Sequence, residues 1–357
     1  MRAIIASLVL AASISAIAEP TAKKSTAWDN WNNPYKMDAN FKSDLNTLPK
    51  NGELSSSGLA WPGSYWPNNK GSIAWRWTAK DPKPFKYESP SMYEAKQMTA
   101  AKINELSPAE KYDMYVGRYD YPTVEKLFKA HRKGEAIWHG ICHGVAPASL
   151  HHREPKTVTV KNADGIEITF YASDVKALLA NHYSKVSDTG IIQVGKRCFV
   201  GGKFPLARKS AGCRDVNPGA FHIIIANKLG LSKTGFVADL DRYKQVWNHA
   251  AVSFKTKIVS NVSLGKKSPE NATRRVKIRT EVTYQASVEP EKEAIIGTAK
   301  AKFDVRKYQY FLDLNSRGQI LGGEWISKER PDFMWSKEKD KFKGHWSKLE
   351  EIYQANI

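Results

Sequence analysis

In the last third of the chain, hydrophobic and polar residues alternate with the two-residue period of β strands. The clearest alternation with lysine, arginine and glutamate is at Val276, Ile278, Val282 and Tyr284. Three later strand-like runs, separated by turn residues, lie at 297–305, 307–314 and 319–327. Strands of this kind have one apolar and one wet side. The pattern therefore predicts an antiparallel β-sheet region over residues 251–335, packed on the rest of the protein by one face.

Upstream of this sheet, the pattern favours helices. Ser107 is a helix cap, because Pro108 follows at the first helical position and Glu110 completes a capping box. This N-terminal part of the core is also rich in tryptophan. Residues 58–250 are predicted to form the core, and the charged residues 336–357 a C-terminal surface helix. The predicted fold class is α+β.

Two segments precede the predicted core. Residues 1–18 combine a basic residue, an apolar stretch and small residues that end at Ala18, which is typical of a cleaved signal peptide. Residues 19–57 are polar and predict a flexible lead or pro-segment. No segment reaches the roughly 20 apolar residues that a transmembrane helix needs. The mature protein is therefore expected to be secreted or periplasmic, with no transmembrane segment.

Export makes the three cysteines informative, because disulfides persist in oxidising compartments. Cys198 and Cys213 are joined by a loop rich in glycine and lysine, and they are expected to form a disulfide. In the chain-entropy picture, this bond adds roughly 3 kcal/mol to the free energy of unfolding. Cys142 is then left as a free thiol. The simpler alternative is that Cys142 is a buried structural residue.

The surroundings of Cys142 suit a nucleophile. Gly140 and Gly144 let a substrate approach the backbone closely, and Pro147 is tolerated in a first helical turn. A short helix is therefore predicted to begin just after Cys142. Its positive end would lower the pKa of the thiol, as an imidazolium would.

Possible partners of the thiol lie downstream. His222 falls in an apolar, β-branched run opened by Pro-Gly, which predicts a buried strand, and Asp239 falls in a second short apolar run. A hairpin of these two strands would place His222 beside Asp239. The order cysteine, histidine, acid is found in papain-like and transglutaminase-like cores, where the histidine is the base and the acid orients it. Asp241 competes with Asp239, and His222 could instead be a satisfied core histidine.

A metal site is the alternative for the same region. Thiolate and imidazole are ligands that zinc prefers, so a zinc cluster is an alternative for His139, Cys142, His143, His151 and His152. A metal on the thiol would block acyl transfer. No EF-hand loop is present, and we predict no metal, no cofactor and no calcium requirement.

The chain is strongly basic, with a formal net charge of +19. This charge suggests association with acidic cell-surface polymers. Nucleic acid is the rival partner, but no nucleic-acid-binding module accompanies the lysine and arginine excess. A basic surface without a dedicated partner is the simplest alternative.

Several motifs resemble those of the transglutaminase elicitor family, which includes secreted oomycete transglutaminases and bacterial relatives. The strongest are WHGICHGVAPA (138–148), CRDVNPGAFH (213–222), FVAD (236–239) and VWN (246–248). Weaker similarity at 61–67, 107–113, 322–326 and 330–335 extends the resemblance over residues 60–335. The resemblance implies a papain- or transglutaminase-like core with Cys142 as nucleophile, His222 as base and Asp239 as its orienter. Oxyanion or substrate-binding candidates are Trp138, His143 and Trp247, alongside backbone N–H groups near Cys142.

The resemblance implies a transglutaminase, and the absence of an EF-hand loop predicts that it is calcium-independent. Its partners would be a glutamine-bearing protein or peptide and a primary-amine acceptor such as lysine or a polyamine. A cysteine peptidase or glutamine deamidase would use the same residues with water as acceptor. A non-catalytic envelope or host-binding protein on the same scaffold is the third possibility.

Overall fold

A computed structural model describes residues 26–56, 58–185, 190–197, 215–240 and 245–355. Its helices are α1 (Met92–Gln97), α2 (Ala100–Asn104), α3 (Pro108–Tyr115), α4 (Pro122–Ala130), α5 (Cys142–His151), α6 (Ala172–Lys185), α7 (Pro218–Ile225) and α8 (Leu349–Gln354). Its strands are β1 (Asn51–Glu53), β2 (Val158–Lys161), β3 (Glu167–Phe170), β4 (Ile192–Gly195), β5 (Val237–Asp239), β6 (Asn248–Val262), β7 (Arg274–Gln285), β8 (Phe303–Leu314), β9 (Ile320–Trp325) and β10 (Phe333–Ser336). The mixed class with an antiparallel sheet is confirmed.

One antiparallel sheet runs in the order β4-β10-β5-β6-β7-β8-β9, and β1 also pairs with β6. The alternation predicted in β7 is present, since Val276, Ile278, Val282 and Tyr284 are all buried. The predicted runs 297–305 and 307–314 differ from the structure, because β8 is a single strand that begins only at Phe303. Helix α7 packs against β8 and β9.

A second hydrophobic core lies among α3, α4, α5 and α6 and includes the fully buried rings of Trp61 and Trp66. Helices α5 and α6 approach closely at Gly144, where an added Cβ would lie 2.0 Å from the carbonyl oxygen of Ala180. Only a glycine fits at this position, and its lack of a side chain lets α5 pack closely on α6. Lys111 on α3 and Asp174 on α6 form a fully buried ion pair at 2.7 Å. The Gly144 contact therefore packs α5 on α6, and the ion pair joins α6 to α3.

The segment that precedes residue 57 is packed rather than loose. Phe41, Leu45, Leu48 and Leu54 are buried in the core of the large sheet. Strand β1 adds a row of backbone hydrogen bonds on β6. The expectation of a flexible lead is therefore wrong for residues 26–56, because apolar side chains spaced among polar ones anchor this segment. Its removal as a pro-segment stays a prediction.

Two further local predictions are corrected. Residues 218–225 form helix α7 rather than a strand: Pro218 is the first helical residue and the Asn217 side chain caps the helix by accepting from the backbone N–H of Gly219. A π-helical segment, Ala226–Ser232, continues it. The C-terminal helix predicted over 336–357 is confined to α8, and residues 337–343 have no regular structure. Within the described ranges, no helix is both long and apolar enough to cross a membrane.

Candidate active site

The site is built around Cys142, the first residue of α5. The backbone N–H of Ile141 donates to the carbonyl oxygen of Tyr65, and Gly140 lies so close to that oxygen that a Cβ would be 2.3 Å away. The start of α5 is thereby fixed against the 61–67 segment. The thiol is buried, with Cys142 8% exposed. The predicted helix at this cysteine is confirmed.

The paired strands β5 and β6 face this thiol. Its Sγ lies 3.7 Å from the carbonyl oxygen of Val246, to which the thiol donates. The Asn248 side-chain amide donates to the same Sγ at 3.8 Å. The other end of that amide is held by Trp335, whose indole N–H donates to Asn248 Oδ1 at 2.8 Å. Asn248 is therefore oriented toward the sulfur by its neighbour.

Asp239 stands directly opposite Asn248 in the β5–β6 register and is fully buried. Residues opposite each other in a ladder share a face, so Asp239 lies on the same side of the sheet as Asn248. Its Oδ1 accepts from the backbone N–H of Trp247 at 2.8 Å. The last residue of β5 thus supplies a carboxylate next to the thiol.

The electrostatics of the thiol follow from this arrangement. Burial raises the pKa of Cys142 most, and the negative charge of Asp239 raises it further. Hydrogen bonds from Asn248 and from the backbone of His143 act in the opposite direction. The net shift is upward, so the thiol is protonated in this arrangement, in keeping with its donation to Val246.

His222 is not part of this cluster. It lies on α7, is 1% exposed, and its Nδ1 is 2.7 Å from the hydroxyl oxygen of Tyr310. That hydroxyl is 2.8 Å from the Thr280 hydroxyl, which is 2.8 Å from that of Thr256. Among the described residues, His222 makes no hydrogen bond or ion pair with Cys142 or Asp239. The predicted hairpin of a His222 strand and an Asp239 strand is therefore wrong, since β5 pairs with β6 and β10.

The contacts of His222 match the alternative of a satisfied core histidine. Burial lowers its pKa to about 4. An unfolded histidine titrates near 6.5, so the unfolded chain binds more protons between these values and stability falls as pH drops from about 6.5 to about 4.

This titration leads to a testable difference in stability. His222→Gln cannot titrate, so the stability advantage of the wild type over the variant should shrink by about 3 kcal/mol between pH 7 and pH 4. Urea unfolding at a series of pH values measures it. An advantage that does not change with pH would show that His222 is not held neutral in the fold.

The three predicted binding residues, His143, Trp247 and Trp138, differ in how close they lie to the thiol. His143 follows Cys142 on α5 and is exposed. The Trp247 ring meets the Tyr65 ring edge-on, with centroids 5.2 Å apart. Trp138 is half-buried and its ring lies against His139, with centroids 4.2 Å apart. Trp247 is therefore close to the start of α5, and the ring contact of Trp138 is with its own neighbour in the loop.

A cavity of about 440 Å³ lies on the side of Trp247. It is also lined by His249, Asp304, Arg306 and Glu329. His249 donates from Nδ1 to the carbonyl oxygen of Gln285 at 2.7 Å, and burial lowers its pKa. Neither this histidine nor Asn248 was singled out as a site residue from the sequence. The VWN motif, whose asparagine is the first residue of β6, is the signal that marks their place.

The fold separates the side chains that the zinc alternative requires. Cys142 and His143 begin α5, whereas His151 ends it and His152 follows, which separates the two pairs by roughly 13 Å at 1.5 Å per residue. His151 Nε2 bonds the carbonyl oxygen of Lys337 at 2.7 Å and His152 Nε2 lies 3.1 Å from the Tyr183 hydroxyl. In the described part of the chain, no three histidine, cysteine or acidic side chains form a metal-binding group.

Some predicted features lie outside the described residues. These are the signal peptide at 1–18, the Cys198–Cys213 disulfide and the competing acid Asp241. They stay predictions.

Comparison with known proteins places this site in context. None of the curated proteins compared with the chain matches it significantly. The solved structure of the GP42 transglutaminase from Phytophthora sojae is similar, with a TM-score of 0.66 at 21% identity, over 90% of this chain and 96% of that one. The fold is therefore shared with that protein. The family model named Transglutaminase elicitor matches residues 34–343. Because this match spans most of the sequence and includes Cys142, Asp239 and Asn248, the chain belongs to the transglutaminase elicitor family.

Proposed function

We propose that the protein is a transglutaminase in which Cys142 forms a thioester with a glutamine side chain. The observation that supports this most is a buried thiol at the start of α5, facing Asp239 and Asn248 on paired strands. A nucleophile on a helix start opposite an antiparallel sheet is also the layout of a papain-like core, which is part of the proposal.

The first half of the reaction releases ammonia. Sγ attacks the glutamine carboxamide carbon as the thiol proton passes to the Asp239 carboxylate, and the carbonyl oxygen becomes an oxyanion. Collapse of this intermediate breaks the C–N bond, and the proton returns from Asp239 to the leaving nitrogen. In this proposal Asp239, and not His222, is the residue that transfers the proton. In this proposal the Asn248 amide and the backbone N–H groups at the start of α5 stabilise the oxyanion.

The second half forms the isopeptide bond. A neutral primary amine attacks the thioester carbon, Asp239 accepts a proton from it, and the thiol leaves with that proton. The cavity beside Trp247 is the proposed entry for the amine, because its two carboxylates outnumber Arg306: Asp304 pairs with Arg306 at 3.7 Å, and Glu329 complements a protonated amine before it loses its proton. A glutamine substrate must displace the Val246 carbonyl from the thiol to reach it.

The experiment uses a glutamine-rich protein, a labelled primary amine and the mature enzyme, with mass spectrometry of the product. A transglutaminase adds the amine and removes ammonia at glutamine. A deamidase adds water and removes ammonia, a peptidase shortens the chain, and a binding protein changes nothing. Only the first outcome supports the proposal. A parallel reaction with a calcium chelator tests the predicted calcium independence.

Secretion is a further part of the proposal and depends on residues 1–18. The intact mass of the protein recovered from its native host should be that of a chain that begins at Glu19. A protein that keeps residues 1–18 would contradict it.

A further inference from the structure

A basic cleft lies away from the residues assigned to the reaction. It is formed by α4, the C-terminal end of α6 and the segment 337–346. Two adjoining cavities of about 530 and 220 Å³ share Lys126, Lys185 and Trp346. We call this pair of cavities the basic cleft. Its lysines are Lys126, Lys185, Lys337, Lys339, Lys341 and Lys343.

The positive charges of these lysines are only partly balanced by negative side chains in the cleft. The carboxylates in the cleft are those of Glu338 and Asp340, and Asp340 pairs with Lys337 at 3.0 Å. Partial burial and the charge of Lys126 lower the pKa of Lys185, which shows that the cations repel one another. A bound anion would relieve this repulsion. The charge of the cleft therefore favours an acidic ligand.

Buried polar atoms in the cleft lack partners. Asn181 Oδ1 and both ring nitrogens of His182 have no hydrogen-bond partner among the described residues, although these residues are only 2% and 3% exposed. Burial lowers the pKa of His182, so its ring is neutral, with one nitrogen a donor and the other an acceptor. Buried polar groups without partners are costly and call for a ligand or water. Asn181 lines the smaller cavity and His182 the larger.

The kind of ligand follows from these orphaned atoms. Asn181 Oδ1 and one His182 nitrogen need donors, which a carboxylate or a fully ionised phosphate group lacks. A sugar hydroxyl both donates and accepts. Trp346 adds an aromatic surface shared by both cavities, and its ring is backed by Tyr112 with centroids 4.9 Å apart. We propose that the basic cleft binds a carbohydrate that carries phosphate or another acidic group.

This proposal is independent of the reaction at Cys142, and its test needs no catalytic readout. Calorimetric titration of the mature protein with glucose 6-phosphate is compared with inorganic phosphate, glucose and hexaglutamate. The sugar phosphate should bind at least tenfold more tightly than each of the others. Equal binding of inorganic phosphate or hexaglutamate would overturn carbohydrate recognition, and no binding of the sugar phosphate would overturn the site.

Variants separate local recognition from overall charge. Lys341→Gln with Lys343→Gln should weaken sugar-phosphate binding at least tenfold. The control is Lys255→Gln with Lys257→Gln, which removes the same charge from exposed positions on β6 and should leave the affinity unchanged. An equal loss in both double variants would attribute binding to net charge and contradict the proposal.

His182→Phe tests the orphaned ring directly. It keeps an aromatic ring against Phe342 while removing both nitrogens. Affinity should fall while the unfolding temperature is maintained or rises, because buried atoms without partners are lost. A folded variant with unchanged affinity would show that His182 does not contact the ligand.

Discussion

Replacing Cys142 with alanine is expected to abolish amine incorporation into glutamine, by several orders of magnitude in kcat, while the protein stays folded. The thiol is the atom that forms the thioester, and alanine offers no nucleophile. The hydrogen bonds of the thiol are one to the Val246 carbonyl and those from Asn248 and the backbone of His143, and sulfur is a weak donor and acceptor, so its loss affects the fold little. Amine incorporation and thermal unfolding of the same preparation measure both effects.

Cysteine variants elsewhere provide the control. Cys198→Ser with Cys213→Ser removes two sulfur atoms but leaves Cys142, so the activity per folded molecule should be retained even if the protein is less stable. Full activity in Cys142→Ala would refute a thiol mechanism. Loss of activity in the double variant, with Cys142→Ala active, would place the nucleophile elsewhere.

Replacing Asp239 with asparagine is expected to lower kcat by orders of magnitude and, at the same time, to lower the pKa of the Cys142 thiol. Turnover falls because an amide cannot accept the proton. The thiol pKa falls because the carboxylate charge that helps to raise it is gone. Thiolate absorbance titrated against pH, with Cys142→Ala as the blank, reports the shift, and amine incorporation reports turnover.

His222→Gln is the matched comparison for Asp239→Asn. His222 bonds Tyr310 and not the thiol, so this variant should lose stability but keep its turnover within about tenfold and its thiol pKa unchanged. If His222→Gln instead loses turnover by orders of magnitude while Asp239→Asn does not, the imidazole is the base after all. An unchanged thiol pKa in Asp239→Asn would contradict the proximity of the two groups.

Local patterns predicted much of this architecture. Alternation over Val276–Tyr284 identified β7, because that strand has one face in the core and one in solvent. The capping box at Ser107 and Glu110 identified α3, since the same two side chains satisfy the first backbone N–H groups. Glycines and a proline around Cys142 placed the start of α5. These features are encoded within a few residues, so the sequence displays them.

Features set by distant contacts were harder to predict. Residues 218–225 are buried all round, so their apolar run has no period that separates a helix from a strand, and β-branched residues misled the prediction. Asn248 bonds the thiol and Asp239 is brought to the same face of the sheet by the β5–β6 register, which only the folded sheet reveals. The basic cleft joins residues from 122 to 346, and no single stretch shows it.

The most direct test of the thioester at Cys142 is to trap it. The enzyme is mixed with a glutamine peptide without amine, quenched in acid at early times, and mapped by mass spectrometry. The mass of the peptide less ammonia should appear on the fragment that contains Cys142, and hydroxylamine should release it. Turnover of the peptide with no such adduct, or with the adduct on another residue, would contradict the proposed mechanism.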